Sequence, residues 1–226
     1  MKWTSKLEEM FRRRHVGAEV EEKVKRVEEN HIQPLPIDFN LRILVVTDGH
    51  GCLAESDIPP YRDIDVCLLL GDLSIRDIAI VKEKIGNIPV YGVLGNHDGF
   101  ELYDRFGIEN IHGKVVEIDG VRIAGMQGAF RYKDTNFPFY TDDESVEIAE
   151  EMDGADILIS HDYPKDFHKN TDWAHSGLQG ITHYCEKHRV PLNIHGHFHN
   201  NLSGVLENGT RTICCYRATI IDTSAL

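Results

Sequence analysis

The sequence predicts an α/β fold, and three observations carry that expectation. Short apolar, β-branched runs recur at Leu41–Val46, Val66–Leu70 and Val90–Leu94, continuous rather than alternating, as strands buried on both faces are. Between the last two runs, Ile75–Ile85 spaces its apolar residues for one helical face and closes at Gly86, giving a strand-helix-strand unit. Each of the three runs leads directly into a polar cluster: Asp48-Gly49-His50, Gly71-Asp72, and Gly95-Asn96-His97-Asp98. All three clusters therefore stand at carboxyl ends of strands, where open α/β sheets bind ligands.

Taken in chain order, residues Ser5 to Asn30 are rich in Glu, Lys and Arg, with Val20, Val24 and Val27 on one face of an amphipathic helix that Pro34 and Pro36 end. Arg12, Arg13 and Arg14 read as a solvated helix face rather than a phosphate patch, since Glu residues surround them. Beyond the first three strands, Val115–Ile118 and Val121–Ala124 flank Asp119-Gly120, a hairpin turn signal. A helix follows at about Asp143 to Met152. Ile157–Ile159 is a strand ending at His161, and Leu192–Ile194 ends just before His195-Gly196-His197-Phe198-His199. Val205, an Asn208-Gly209 turn and Thr212–Tyr216 suggest a terminal hairpin.

The chain has 226 residues, 41% of them hydrophobic, enough for one substantial core and short for two. We read residues 1–40 as an amphipathic helix and linker, and 41–226 as one domain. A formal charge of −13 repels nucleic-acid backbones and anionic lipid, so the expected partner is a small substrate, with no dedicated nucleic-acid binding. No apolar run is long enough to span a bilayer or to form a signal peptide. The five cysteines, Cys52, Cys67, Cys185, Cys214 and Cys215, include no Cys-x-x-Cys pair, which suits a reducing cytoplasm. The N-terminal helix covers an apolar face or joins a neighbouring subunit.

Asp, His and Asn side chains are hard-to-borderline donors, suited to manganese, iron or zinc rather than to calcium or soft copper. Two such metals held side by side need a bridging carboxylate and leave positions for water and a substrate oxygen. Asp72 is the expected bridge. Each motif alone is weak, because Asp-x-His arises by chance and a Gly-Asp pair is often only a turn.

Together, in this order, the blocks are specific. Asp48-Gly-His50, Gly71-Asp72, Gly95-Asn-His-Asp98, an isolated His161 after a strand, and Gly196-His-Phe-His199 resemble the calcineurin-like metallophosphoesterase family over residues from about Leu41 to Tyr216. The resemblance implies a four-layer sandwich of two packed mixed β-sheets flanked by helices. It implies that Asp48, His50, Asp72 and His199 hold one divalent metal, while Asp72, Asn96, His161 and His197 hold the other. Manganese is the expected metal, with iron, zinc or nickel as alternatives. It further implies a metal-bridging hydroxide as nucleophile and His97 as general acid or electrostatic stabiliser over the phosphorus. His195, Asp98 or Asp162 are candidate partners for the outer imidazole N–H groups, although His195 reads first as a strand cap and Asp98 as a loop former. His112, His168, His175, His183 and His188 lack motif context and read as surface or loop residues.

The pattern departs from the phosphoprotein phosphatases of that superfamily, which carry Gly-Asp-x-x-Asp-Arg-Gly and an Arg before Gly-Asn-His. Here Arg76 falls where a phosphate-binding arginine would, but Ile75 replaces the orienting Asp and Leu94 the second arginine. Fewer arginine clamps favour a diester over a phosphomonoester dianion. Arg76, Asn96 and Tyr163 are the candidate substrate contacts. Tyr61, Phe100, Phe130, Tyr132, Phe139, Tyr163, Trp173 and Phe198 are a pool of rings for a stacking wall, most of them expected in ordinary packing. The expected activity is hydrolysis of a small phosphodiester, including a nucleotide. The rivals are a phosphomonoesterase or phosphoprotein phosphatase, and a non-catalytic scaffold on the same fold.

Overall fold

The computed structural model describes residues 32–58, 63–165, 167 and 176–226. The N-terminal helix with Arg12, Arg13 and Arg14, its expected role in oligomerisation, and Tyr61, His168, Trp173 and His175 lie outside the described residues.

The apolar runs form two sheets. In the first, β1 (Arg42–Thr47), β2 (Val66–Leu69), β3 (Val90–Gly92) and β4 (Glu109–Asn110) are parallel, and β13 (Arg217–Asp222) lies antiparallel beside β1, in the order β13-β1-β2-β3-β4. In the second the order is β11-β12-β10-β9-β6-β5. There β6 (Val121–Met126), β9 (Ile157–Ser160), β10 (Leu192–His195) and β12 (Arg211–Cys214) are parallel. Antiparallel β5 (Val115–Ile118) and β11 (Leu202–Val205) close its edges. A two-residue pairing joins β7 (Ala129–Phe130) and β8 (Phe139–Tyr140).

Strand alternation sorts the side chains into layers. Ile43, Val45, Val66 and Leu68 of the first sheet meet Ile123, Ile157, Ile159, Leu192 and Ile194 of the second in the central core. The opposite face of the first sheet, with Leu44, Val46, Cys67 and Leu69, packs on Ile78, Val81 and Ile85 of α1 (Ile75–Ile85). The outer face of the second sheet, with Ala124, Met126 and Leu158, takes α2 (Asp142–Glu151) and α3 (Gln179–His188) through Ala149, Ile181, Tyr184 and Cys185. Strands between two packed layers have no polar face, which is why their sequences read as unbroken apolar runs.

The structure alters the sequence reading in four places. Helix α3 is absent from that reading: its first residues lack a side-chain cap, Leu178 holding the N-cap position, and Gly180 and Thr182 dilute the helical signal. The hairpin β11–β12 exists but is not terminal, because the chain turns at Arg217 (φ 61°) and crosses to the first sheet as β13. His112 is not a surface residue; its Nδ1 receives the Gln127 N–H at 3.2 Å and its Nε2 meets the Tyr140 hydroxyl at 3.1 Å. Nor is the boundary at residue 41 a break in packing: Leu35 exchanges bonds with Gly209 and Arg211, and Ile37 and Phe39 lie against the central core. Among the described residues, no helix is long and apolar enough to cross a membrane.

Candidate metal centre

Because β1, β2 and β3 are parallel, their carboxyl ends share one edge and deliver Asp48, Asp72, Asn96 and His97 together. The second sheet brings His161 from the end of β9 and His197 and His199 from beyond β10. Direct bonds join the two edges: His161 Nδ1 lies 2.7 Å from the Leu70 carbonyl, and His197 donates its main-chain N–H to Asp48 Oδ2 at 2.9 Å. The glycine before Asp72 is required by sterics. Gly71 has φ 90°, and a Cβ there would stand 2.1 Å from the backbone nitrogen of Gly95, so only glycine lets the two loops touch.

Two convergent groups result, Asp48 with His50 and His199, and Asp72 with His161 and His197. Asp72 Oδ2 lies 3.6 Å from His50 Nε2 and equally 3.6 Å from His161 Nε2, so one carboxylate oxygen faces both groups. His50 Nε2 and His199 Nε2 are 3.2 Å apart, and His199 Nε2 is 3.3 Å from Asp48 Oδ1. Asn96 Oδ1 stands 2.9 Å from His161 Nε2. Donors ~2.1 Å from a common ion stand ~3.0–3.4 Å from each other, so the His50–His199 and His199–Asp48 separations fit neighbouring vertices of a coordination shell.

The donor chemistry fits as well. With Nδ1–H donated to the Leu70 carbonyl, His161 turns the lone pair of Nε2 toward Asp72 Oδ2 and Asn96 Oδ1, so acceptors converge on acceptors. Asp48 Oδ1 is buried with no hydrogen-bond donor in good geometry among the described residues. Such an arrangement is costly without a cation. The surrounding carboxylates favour positive charge at this point: burial pulls His161 down, but Asp72 and Asp48 raise it overall above the ordinary imidazole value. Burial pushes Asp48 up, yet His199, His161 and Thr47 together bring it to about 2. The first group is half open, since His50 and His199 are exposed, whereas the second is wholly buried.

His97 points its exposed ring toward this centre, 5.5 Å from His50 between ring centroids, and donates its main-chain N–H to Asp72 Oδ1 at 2.9 Å. Desolvation lowers its pKa, against the pull of Asp72. Asp98 turns out to hold backbone rather than imidazole, accepting from the N–H groups of Asp72, Leu73 and Gly95. Asp162 does the same for Phe130 and Tyr163. His195 is buried at the end of β10 with its ring beside Tyr163 and Phe167, which agrees with its structural reading.

Two expected substrate contacts are placed elsewhere. Tyr163 is fully buried with its ring against His195 and Phe198, so it presents no surface to a ligand. Arg76 turns Nη1 to the carbonyls of Gly51 and Leu53 at 3.1 and 2.8 Å and braces the loop after His50. The residue that sequence reasoning overlooked is Asp77. Buried at the start of α1, it accepts from the N–H groups of Gly51, Leu53 and Ser74, tying the His50 loop to the helix. Its signal was present as a Ser74-x-x-Asp77 capping pair.

No family model matches the chain. An uncharacterized protein of Haemophilus influenzae is 27% identical, with 71% of this chain and 84% of that protein covered. Among solved structures, TT1561 of Thermus thermophilus superposes with a TM-score of 0.63 at 16% identity, covering 83% of this chain and 96% of that one. A phosphopantetheinyl hydrolase of Mycobacterium tuberculosis gives 0.56 at 12% identity, covering 78% and 89%. At these identities the likeness is one of fold, and the fold is the two-sheet sandwich flanked by helices that the sequence resemblance implied.

Proposed function

We propose that this chain is a calcineurin-like metallophosphoesterase that hydrolyses a small phosphodiester. The observation that carries the reading is the placement of Asp72 Oδ2, equidistant from His50 Nε2 and His161 Nε2, as a carboxylate shared between two metals would be. On this reading Asp48, His50, Asp72 and His199 hold one ion, and Asp72, Asn96, His161 and His197 the other. Divalent metals bound there supply Lewis acidity toward the phosphoryl oxygens and acidify a water to serve as nucleophile.

The chain's own groups do the remainder. His97, fixed through its backbone on Asp72 and left open at its ring, delivers a proton to the departing ester oxygen. Its depressed pKa makes it the better donor once protonated. Asp77 and Arg76 hold the His50 loop, and Asp98 holds the Asp72 and Gly95 loops, so that the donors stay convergent without rearrangement on binding. The engagement of Arg76 Nη1 with two main-chain carbonyls supports a diester, because it turns one edge of that guanidinium to the His50 loop instead of to a phosphomonoester dianion.

The test is hydrolysis of bis-p-nitrophenyl phosphate against p-nitrophenyl phosphate by metal-stripped protein resupplied with manganese. Manganese-dependent preference for the diester is expected, and His97→Ala should lower kcat on the order of 10²–10⁴-fold with both metals retained. Preference for the monoester would move the assignment to a phosphatase. Loss of both metals in His97→Ala would remove its assigned role, and no turnover with two metals bound would favour the scaffold.

A further inference from the structure

The two groups of donors are supported differently. In the buried group the outer imidazole nitrogen is engaged, since Nδ1 of His161 meets the Leu70 carbonyl at 2.7 Å. In the half-open group His199 stands beyond β10 in left-handed backbone, with its side chain 48% exposed. Its Nε2 faces His50 and Asp48, and among the described residues no hydrogen bond holds its Nδ1. An exposed imidazole with nothing behind it gives up rotamer freedom when it closes on an ion, and affinity falls by that cost. What stands behind His199 is a ring: Tyr216 stacks on it, with 5.4 Å between centroids and 25° between planes, a favourable aromatic arrangement.

Tyr216 lies where the chain leaves the second sheet for the first, between β12, which ends at Cys214, and β13, which begins at Arg217. Its neighbours are fixed to both sheets: Cys215 donates its N–H to the His195 carbonyl at 2.7 Å, and Arg217 pairs with Thr47, the residue before Asp48. Asn201, two residues beyond His199, accepts the Tyr216 N–H at 2.9 Å and the Thr219 hydroxyl at 3.4 Å. The Arg217 guanidinium lies 5.7 Å from the Tyr216 ring centroid, close enough for a cation–π contact. Its Nη1 is tied to Asp57 Oδ2 at 3.0 Å, in the segment that follows His50. A closed circuit results: His199, Asn201 and Tyr216 clasp one another, and Arg217 joins that clasp to the segment leading from His50, the other imidazole of the same group.

We propose that Tyr216 is a positioning residue of the half-open group: its ring, set at the crossing between the sheets, holds the His199 imidazole toward Asp48 Oδ1 and so governs how tightly that group keeps a divalent ion. The inference rests on the metal-centre reading above and deepens it, naming what regulates occupancy of one of the two sites. Backing an exposed donor with a planar ring removes orientations that face away from the ion, so less conformational entropy is lost on binding. The buried group needs no such backing, because packing and the Leu70 bond already fix His161. The half-open group is then the weaker of the two, and the supply of free metal sets whether the centre is complete. If Tyr216 merely filled space, both groups would respond alike to its replacement.

The experiment is calorimetric titration of metal-stripped, full-length protein with manganese, comparing wild type, Tyr216→Leu, Tyr216→Phe and Asn201→Ala. His199→Ala, which strips a donor from the half-open group, identifies that group's class of binding. Wild type should bind two ions in a tighter and a weaker class, and His199→Ala should remove the weaker. Tyr216→Leu should raise the Kd of that same class about tenfold, as loss of a supporting partner does, and leave the tighter class unchanged. Tyr216→Phe, which keeps the ring, should restore the affinity to within about twofold of wild type. Unchanged affinities in Tyr216→Leu, equal weakening of both classes, or a Tyr216→Phe as weak as Tyr216→Leu would each overturn the assignment while the metal centre stands. Wild type that binds fewer than two ions would end the metal-centre reading and the clasp with it. Should Tyr216→Leu fail to fold, Asn201→Ala decides: selective weakening of the half-open class sustains the clasp, and wild-type affinities end it.

Discussion

Asp48, His50, Asp72, His197 and His199 all hold left-handed backbone, with φ between 46° and 66°. For residues other than glycine this conformation is uncommon and costs free energy, and it persists where surrounding bonds over-determine it. Those bonds are on hand: Asp48 and His50 donate to the carbonyls of Gly71 and Asp72, and Asp48 Oδ2 takes the Thr47 hydroxyl and the His197 N–H. The strain turns side chains inward at the end of a strand where a regular conformation would carry them away. His112 allows a separate test away from the centre. Burial lowers its pKa from the ordinary imidazole value to about 4, so the folded state keeps it neutral while the unfolded chain takes up a proton. Its contribution is thus present above about pH 6.5 and is lost as pH falls toward 4. Between about pH 7 and pH 5 this one group should cost the fold about 2 kcal/mol. Urea unfolding of metal-free wild type and His112→Gln at both pH values should show the variant losing less stability on acidification by roughly that amount; equal losses would refute the assignment.

Among the elements, α1 and α2 announce themselves by capping boxes, Ser74 with Asp77 and Thr141 with Glu144, and both begin where the sequence signals put them. Helix α3 has no such box and owes its place to tertiary contact. Gly180 lies against α2 so closely that a Cβ would stand 2.1 Å from the Ser145 carbonyl oxygen, and its N–H is bonded to Ser145 Oγ at 2.9 Å. Gly180→Ala should gain helix propensity yet lose more through overpacking, with a net loss of about 1–3 kcal/mol. A lowered thermal midpoint with unchanged metal stoichiometry is the expected result; an unchanged or raised midpoint would show that α2 and α3 separate easily.

At the scale of the molecule, the centre joins the carboxyl edges of two sheets whose facing surfaces pack through apolar side chains. Metals that bind the folded state alone must therefore stabilise the whole sandwich, by about 2.7 kcal/mol for each site filled at a hundredfold excess over Kd. Manganese added to stripped protein should raise the thermal midpoint, and Asp72→Ala should abolish most of that rise because both groups lose the shared oxygen. A full rise in the variant would dismiss Asp72 as the bridge.

The apolar runs, the helix at Ile75–Ile85 and the polar clusters at strand ends were legible because each is a local pattern: burial on both faces writes an unbroken apolar run, and a ligand loop writes Asp, His, Asn and Gly next to one another in the chain. By itself the sequence thus determined the α/β class, the edge at which chemistry would gather and the identity of the candidate donors. What it could not write is whatever depends on distant segments meeting. The crossing of β13 to pair with β1, the burial of Tyr163, the engagement of Arg76 and Asp77 with the His50 loop, and the network around His112 arise only when the two sheets pack. Partners far apart in sequence, such as Asp48 with His197 or Leu70 with His161, leave no periodic trace in the chain. Packing and the cost of unsatisfied buried polar groups select them, and only the tertiary structure shows which were chosen.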